Sequence, residues 1–267
     1  MSCSALITGF SRDIGLDIAQ AGQAADDRIA ITYHSTLAPA GFLPAPCDIA
    51  QPDDLGPALL RIEEQHGSKE VLVSKAGFAR ERRLVMLTED DFASGLDTYP
   101  TGACWVAVLA AHRVIRRREG WILFVSSVSA LSRQAGQSNY AASEAGLIGF
   151  ARSLGRELAP CRIRVNLLSR GLADTAMLST LDAEKIEGLT AQVPLGRSEV
   201  LHPAEPRQGC LIAPGLGRPL SMVDGCPKRS RCLASIDGFR SHSELPTHGA
   251  LREGVALGAR CGFRIRC

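Results

Sequence analysis

The chain has 267 residues, of which 45% are hydrophobic and 22% are charged, and its formal net charge is only +2. These values fit one α/β domain with a large core and argue against nucleic acid or an anionic membrane as a partner. The chain has no apolar run of about eighteen residues and no apolar leader after Met1. We therefore expect no membrane span, no secretory signal and a cytoplasmic location. Because the nine cysteines include no CxxC pair, we expect no metal site.

The first part of the chain alternates short apolar runs with helical patterns. Ser4–Thr8 has strand character, and a glycine-containing turn connects it to a helix that begins near Ile14. The same reasoning predicts further strands over 28–33, 41–47 and 70–74 and an amphipathic helix over 51–66. Pro44 and Pro46 remove two backbone donors from the third strand, so we expect that strand at an edge of the sheet.

The remaining pattern ends at about residue 197. Thr88 begins a helical region with the capping sequence Thr-Glu-Asp-Asp, and Pro100 interrupts that region. Strands are predicted over 121–125 and 162–168, with a helix between them over 136–158. Residues 198–267 are rich in Arg, Gly, Pro, Ser and Cys and lack sustained periodicity. We therefore divide the chain into a domain over 1–197 and a divergent tail over 198–267, which we expect to be poorly ordered.

Several motifs in the first 197 residues occur together. Ser127 precedes Tyr140 by thirteen positions, the first turn reads TGFSRDIG, Ala-Gly follows the fourth strand, and VPLGR ends at Arg197. Over residues 5–197 this combination resembles the short-chain dehydrogenase/reductase family, and within it the 3-oxoacyl-[acyl-carrier-protein] reductases. The resemblance implies a Rossmann-like, doubly wound parallel sheet with helices on both faces, and a C-terminal part that diverges.

The resemblance also implies a catalytic set. In the family a tyrosine is the general acid or base, a serine holds the substrate carbonyl oxygen, and a lysine four residues after the tyrosine completes the site. The corresponding residues here are Tyr140, Ser127 and Glu144. Since a carboxylate disfavours tyrosinate, we expect impaired reduction of a 3-oxoacyl thioester or similar ketone. The resemblance implies that the acyl group could be carried by an acyl carrier protein. The alternative is an inactive pseudoenzyme that serves as a packing or regulatory subunit of an active relative.

The implied cofactor is NADP. No acidic residue follows the second strand, where the family binds the NAD ribose, and Arg12 and His34 could both face a 2′-phosphate. His34 could equally be an ordinary exposed loop histidine with no role in cofactor binding. The cofactor-binding residues implied by the motifs are Gly9, Ser11, Arg12, Ile14, Gly15, His34, Asp48, Ile49, Lys75, Ala76, Gly77, Tyr140, Ala173 and Thr175.

Other positions depart from the family pattern. Asp13 replaces the glycine at which phosphates approach the backbone, so cofactor affinity should fall. Lys75 replaces an asparagine and is predicted either to pair with Asp13 or to remain an independent solvated charge. Tyr99 replaces the asparagine that helps to hold a relay water, and Arg170 replaces a loop proline.

Two surface features bear on partners. Small residues on one face of the 136–158 helix permit close helix packing, which agrees with the family's use of this helix in a homodimer or homotetramer. A cluster of arginines could attract an acidic carrier protein, or it could complement the negative end of a helix dipole. The cluster consists of Arg113, Arg116, Arg117 and Arg118.

Overall fold

One sheet organises the described part of the chain in this computed structural model, which covers residues 3–9, 14–35, 40–67, 70–77, 80, 82–131, 135–172, 183–191 and 210–211. Its strands are β1 (Ser4–Thr8), β2 (Arg28–Tyr33), β3 (Leu43–Pro46), β4 (Val71–Ser74), β5 (Gly120–Ser127), β6 (Ile163–Arg170) and β7 (Cys210–Leu211). The helices are α1 (Ile14–Ala24), α2 (Pro52–His66), α3 (Glu89–Leu96), α4 (Ala103–Arg117), α5 (Ser138–Leu158) and α6 (Ala183–Ala191).

The strand order is β3-β2-β1-β4-β5-β6-β7. The first six strands pair in parallel, and β7 pairs antiparallel with β6. The chain proceeds outward from β1 in one direction and from β4 in the other, so the order reverses between these two strands. This is the predicted doubly wound topology, in which ligands bind outside the carboxyl ends of the strands near the reversal.

Both faces of the sheet are covered, because successive strand side chains point to opposite sides. Leu6, Leu72 and Phe124 belong to one buried cluster with residues of α2, α4 and α5. Ile7 and Val73 belong to a second cluster with residues of α1. The buried strands therefore read as continuous apolar runs, which is typical of a parallel sheet between two helical layers.

The predicted elements differ from the observed ones mainly at their ends. The first two strands have the predicted bounds, and the proline-containing β3 lies at the edge of the sheet as expected. β5 and β6 both extend beyond their apolar runs, because Ser126 pairs with Ser169 and Ser127 pairs with Arg170. This backbone pairing carries the polar ends of both strands into the sheet, where periodicity alone gives no signal.

The region between α3 and α4 also follows the prediction. Thr88 caps α3 in a capping box with Asp91, whose backbone N–H donates to the Thr88 hydroxyl over 3.1 Å. Tyr99 has extended backbone angles, and together with Pro100 it separates α3 from α4.

No helix in the described ranges is long and apolar enough to cross a membrane. Those same ranges contain no group of three His, Cys, Asp or Glu residues that could hold a metal ion.

The divergent tail enters the fold at one described point. Of residues 198–267 the structure describes only Cys210 and Leu211, which form β7. They pair with Arg170 and Ser169 at the end of β6. β6 therefore has strand neighbours on both sides at these two residues.

Candidate active site

The carboxyl ends of the parallel strands bring the predicted site residues to one edge of the sheet. Gly9 follows β1, His34 follows β2 and Asp48 lies just after β3. Lys75 follows β4, and Ser127 is the last residue of β5. The edge at which a doubly wound sheet binds its ligands thus carries both the predicted cofactor residues and the predicted catalytic serine.

The turns after β1 and β4 are tied together. The Thr8 hydroxyl accepts hydrogen bonds from the backbone N–H groups of Lys75 and Ala76, over 3.1 and 3.3 Å. Gly9 has a φ of +68°, and a Cβ atom placed there would lie 2.3 Å from the Ala76 Cα. Only glycine fits this close approach, since any side chain would collide with the neighbouring backbone. The first glycine of the predicted motif is therefore required by packing as well as by backbone conformation.

His34 and Asp48 lie side by side at the ends of β2 and β3. The His34 Nε2 is 3.8 Å from the Asp48 Oδ2, and the His34 side chain is 73% exposed. The other Asp48 oxygen, Oδ1, accepts a hydrogen bond from the Ala50 N–H over 3.0 Å. Asp48 is thus held by its own turn, and a protonated His34 would have a carboxylate beside it as well as solvent.

The first turn of α5 is anchored immediately before the predicted tyrosine. Asn139 is buried, and its Nδ2 donates to the carbonyl oxygens of Arg80 and Asp91, each over 3.0 Å. The Arg82 N–H donates to the Gly136 carbonyl over 2.8 Å. These bonds attach the start of α5 to α3 and to the segment that precedes it, so the position of Tyr140 depends on both of these elements.

Ser127 and Tyr140 come together, as the sequence predicts. The Ser127 hydroxyl accepts a hydrogen bond from the Ser129 N–H over 3.1 Å, which fixes the serine at the end of β5. Tyr140 is half-buried, and the side chains of Ser127 and Glu144 are near enough to its hydroxyl to change its pKa. Burial and the Glu144 charge raise the pKa of Tyr140 above its ordinary value, while Arg170 and Ser127 act in the opposite direction.

Glu144 lies one turn after Tyr140 and is only 3% exposed. Burial raises the pKa of its carboxyl from an ordinary 4.5 to about 6, although hydrogen bonds from Ser126 and Tyr140 and the charge of Arg170 oppose the increase. Its Oε2 atom is buried and has no hydrogen-bond partner among the described residues. A buried acceptor of this kind can receive a hydroxyl donor from a ligand.

Tyr99 is buried next to the turn after β4. It is 3% exposed, and its hydroxyl donates to the Ser74 carbonyl over 3.1 Å. A Cβ atom on Gly77 would lie 2.8 Å from the Tyr99 ring, so the ring packs directly on the turn after β4. Burial, followed by the charge of Glu144, raises the pKa of Tyr99 well above its ordinary value. An aromatic ring thus stands where the family resemblance places an asparagine.

The residue that sequence reasoning missed is Arg170. From the sequence, Arg170 is only a replacement for a loop proline, with no role in the site. In the structure Arg170 is the last residue of β6 and pairs with Ser127. The pKa values of Tyr99, Tyr140 and Glu144 are all raised, and the charge of Arg170 makes each increase smaller. A usable signal existed in the sequence, because the carboxyl ends of neighbouring parallel strands meet at one edge.

Five predicted residues lie outside the described part of the chain. They are Ser11, Arg12, Asp13, Ala173 and Thr175. The ion pair between Asp13 and Lys75 therefore stays a prediction. The prediction assumes that the strands before these two residues are neighbours in the sheet, and β1 and β4 are indeed adjacent, with Thr8 opposite Ser74.

The arginine cluster at the end of α4 is engaged within the protein. Arg113 pairs with Glu63 at 2.6 Å and Arg117 pairs with Glu70 at 2.5 Å. Arg116 donates to the carbonyl oxygen of His112 within the same helix over 3.2 Å. Arg113 and Arg117 are thus paired with carboxylates of neighbouring segments, and Arg116 contacts a carbonyl of its own helix. Both interpretations of the cluster stay predictions.

Comparison with known proteins defines the class. The sequence profile of the family described as short chain dehydrogenase matches residues 4–186, and the chain belongs to this family. The 3-oxoacyl-[acyl-carrier-protein] reductase MabA of Mycobacterium avium is 38% identical over 197 residues, which are 74% of this chain and 77% of that protein. FabG of Escherichia coli K12, a reductase of the same name, is 31% identical over 201 residues, covering 72% of this chain and 82% of FabG.

The fold is shared with solved structures. The crystal structure of gox2181 matches 74% of this chain and 84% of that chain, with a TM-score of 0.69 and 24% sequence identity. The predicted family, its similarity to 3-oxoacyl-[acyl-carrier-protein] reductases and the Rossmann-like fold are thus confirmed.

Proposed function

We propose that this protein is an NADP-dependent oxidoreductase that reduces a 3-oxoacyl thioester or a similar ketone, with turnover lowered by Glu144. The observation that carries the proposal is the proximity of Tyr140, in the first turn of α5, to Ser127 at the carboxyl edge of the sheet. The named activity of MabA and FabG supports the substrate class, including an acyl group on a carrier protein.

The described residues fit a nicotinamide cofactor. The turn at Gly9 has the positive φ and the close backbone approach that a dinucleotide-binding turn requires. The unpartnered Oε2 of Glu144 can accept a hydrogen bond from a ribose hydroxyl, which is a task that the lysine performs as a donor in the family. The bound cofactor would supply the hydride. His34 and the turn formed by Lys75, Ala76 and Gly77 would contribute the other described contacts.

The chain's own residues would handle the carbonyl oxygen and the proton. The Ser127 hydroxyl can donate to the substrate oxygen, and Tyr140 can pass its proton to the same oxygen. Tyr140 then becomes a tyrosinate beside the Glu144 carboxylate, which is unfavourable in a buried site. Since general acid catalysis contributes roughly 10²–10⁴-fold, a loss within that range is expected relative to a site with a lysine.

NADPH binding followed by nicotinamide fluorescence is the first test. The natural chain should bind NADPH, and Glu144→Lys should raise the rate of NADPH oxidation with a 3-oxoacyl thioester by about 10²-fold. Adding Asp13→Gly to Glu144→Lys should increase the affinity for NADPH relative to Glu144→Lys alone. Tyr140→Phe in the Glu144→Lys background is the control, because it removes the proton donor and should abolish the gain. A natural chain that turns over as fast as Glu144→Lys would contradict the impairment.

A second candidate function is a packing or regulatory subunit without turnover, as a homodimer or with an active relative. The exposed faces of α4 and α5 favour it. On α4, Trp105 is 46% exposed and Val108 is 38% exposed. On α5, Ala142, Ala145 and Gly149 are exposed at helical spacing, so this face is both apolar and small. Such a surface suits close packing with another helix pair.

Sedimentation velocity tests this second candidate. Trp105→Glu should shift the protein toward the monomer if α4 forms the contact. Leu60→Glu on α2 is the matched control, since Leu60 is 56% exposed but lies on another helix. A natural chain that associates but does not bind NADPH would favour the packing role, whereas NADPH binding and turnover would favour the reductase.

A further inference from the structure

The backbone of Arg170 is fixed on both sides. It is the last residue of β6, where it pairs with Ser127 of β5 on one side and with Cys210 of β7 on the other. Its side chain is half-buried. A strand residue with two paired neighbours has little backbone freedom, so the Arg170 side chain leaves the sheet beside Ser127.

The titratable groups around Glu144 come from several elements. Tyr140 lies on α5 itself, Tyr99 lies between α3 and α4, and Arg170 lies on β6. From β5, Ser126 and Ser127 contribute only hydrogen bonds. Among the described residues, Arg170 is a cation whose charge opposes the rise in pKa of all three groups, Tyr99, Tyr140 and Glu144. An arginine guanidinium is a permanent positive charge in proteins, unlike a lysine ammonium, whose pKa shifts readily on burial.

Two substitutions at separate places in the sequence are thus opposite in charge, and they lie on elements that meet. The Ser126 hydroxyl donates to the Glu144 carbonyl over 3.4 Å, and Arg170 pairs with the next residue, Ser127. Where the family resemblance places a lysine on α5 this chain has Glu144, and where it places an uncharged proline after the sixth strand this chain has Arg170. A lysine replaced by a glutamate alone would leave a buried carboxylate beside the tyrosine with no compensating charge. Burying an uncompensated charge is costly, so a cation nearby would lower that cost.

We propose that Arg170 is the cation of this active site, moved from α5 to the end of β6. It acts as a positioning residue through Tyr140 and Glu144. It offsets the buried carboxylate and favours the tyrosinate that forms when Tyr140 gives up its proton. The inference rests on the proposed reductase function for its consequence in turnover, but the electrostatic role exists without turnover.

The test measures the titration of Glu144 directly, by NMR of a chain labelled with ¹³Cδ-glutamate. The Glu144 signal is assigned by its loss in Glu144→Gln. Arg170→Gln should raise the titration midpoint of Glu144 by about one pH unit, because an opposite charge is removed. Arg170→Lys should leave the midpoint close to that of the natural chain. If Arg170→Gln does not fold, Arg170→Met, which keeps an unbranched apolar stem, takes its place.

Turnover gives a second and separate readout. In the natural background Arg170→Gln should lower the rate of 3-oxoacyl thioester reduction by about tenfold, the equivalent of one pH unit in a pKa. With Glu144→Lys present, the same change should have a much smaller effect, since α5 again carries the cation. An unchanged Glu144 midpoint in Arg170→Gln would overturn the proposal. A shifted midpoint with no turnover in any variant would support the role of Arg170 and contradict the proposed reductase function.

Discussion

Glu144→Gln should stabilise the folded protein at neutral pH. Burial raises the pKa of the Glu144 carboxyl from 4.5 to about 6. Because the folded state holds the proton more tightly than the unfolded state, the cost of ionising Glu144 is absent below about pH 4.5 and fully present above about pH 6. The difference of about 1.5 pH units corresponds to about 2 kcal/mol of unfolding free energy. Glutamine has nearly the same shape and carries no charge, so it avoids this cost.

Urea unfolding of the two proteins, followed by the fluorescence of Trp105 and Trp121, measures the effect. The stability gain of Glu144→Gln should be about 2 kcal/mol larger near pH 8 than near pH 4. Glu157→Gln, on an exposed part of the same helix, is the control and should show no such dependence. A gain that stays constant across this pH range would refute the argument, because it would mean that Glu144 ionises as easily in the folded state as in the unfolded state.

Further predictions concern the framework of the site, and each is checked by urea unfolding. Tyr99→Phe should cost about 1 kcal/mol, since the Ser74 carbonyl loses a buried donor. Gly9→Ala should cost at least about 2 kcal/mol, because its Cβ would collide with backbone at a positive φ, whereas Gly56→Ala, with nothing within 4 Å in α2, should gain roughly 0.5–1 kcal/mol. Thr88→Ala should cost about 1 kcal/mol by removing the N-cap of α3, and Thr88→Ser should retain most of that stability.

Specific outcomes would contradict these expectations. A neutral Gly9→Ala would mean that the turns after β1 and β4 are further apart than the structure places them. If Thr88→Ser were as unstable as Thr88→Ala, the capping hydroxyl would not be the source of the stability. A Tyr99→Phe protein as stable as the natural chain would mean that the Ser74 carbonyl finds another donor.

The sequence alone was sufficient for the class of fold. Alternation of apolar runs and helical patterns is a local signal, and the two prolines of β3 predict its edge position from backbone chemistry. The Thr88 cap could also be predicted, because its partner Asp91 is only three residues away. The pairing of Ser127 with Tyr140 came from the family resemblance, which carries a spatial relation that thirteen residues of spacing do not contain by themselves.

What the tertiary structure alone decided is the electrostatic character of the site. The sequence shows a glutamate at the lysine position, but its effect depends on burial, and Glu144 is almost fully buried. Arg170 lies 26 residues after Glu144 in the chain, and it joins the same site only through the register that places it opposite Ser127. Charge interactions depend on distance and on the surrounding solvent, and neither quantity can be read from positions along a chain.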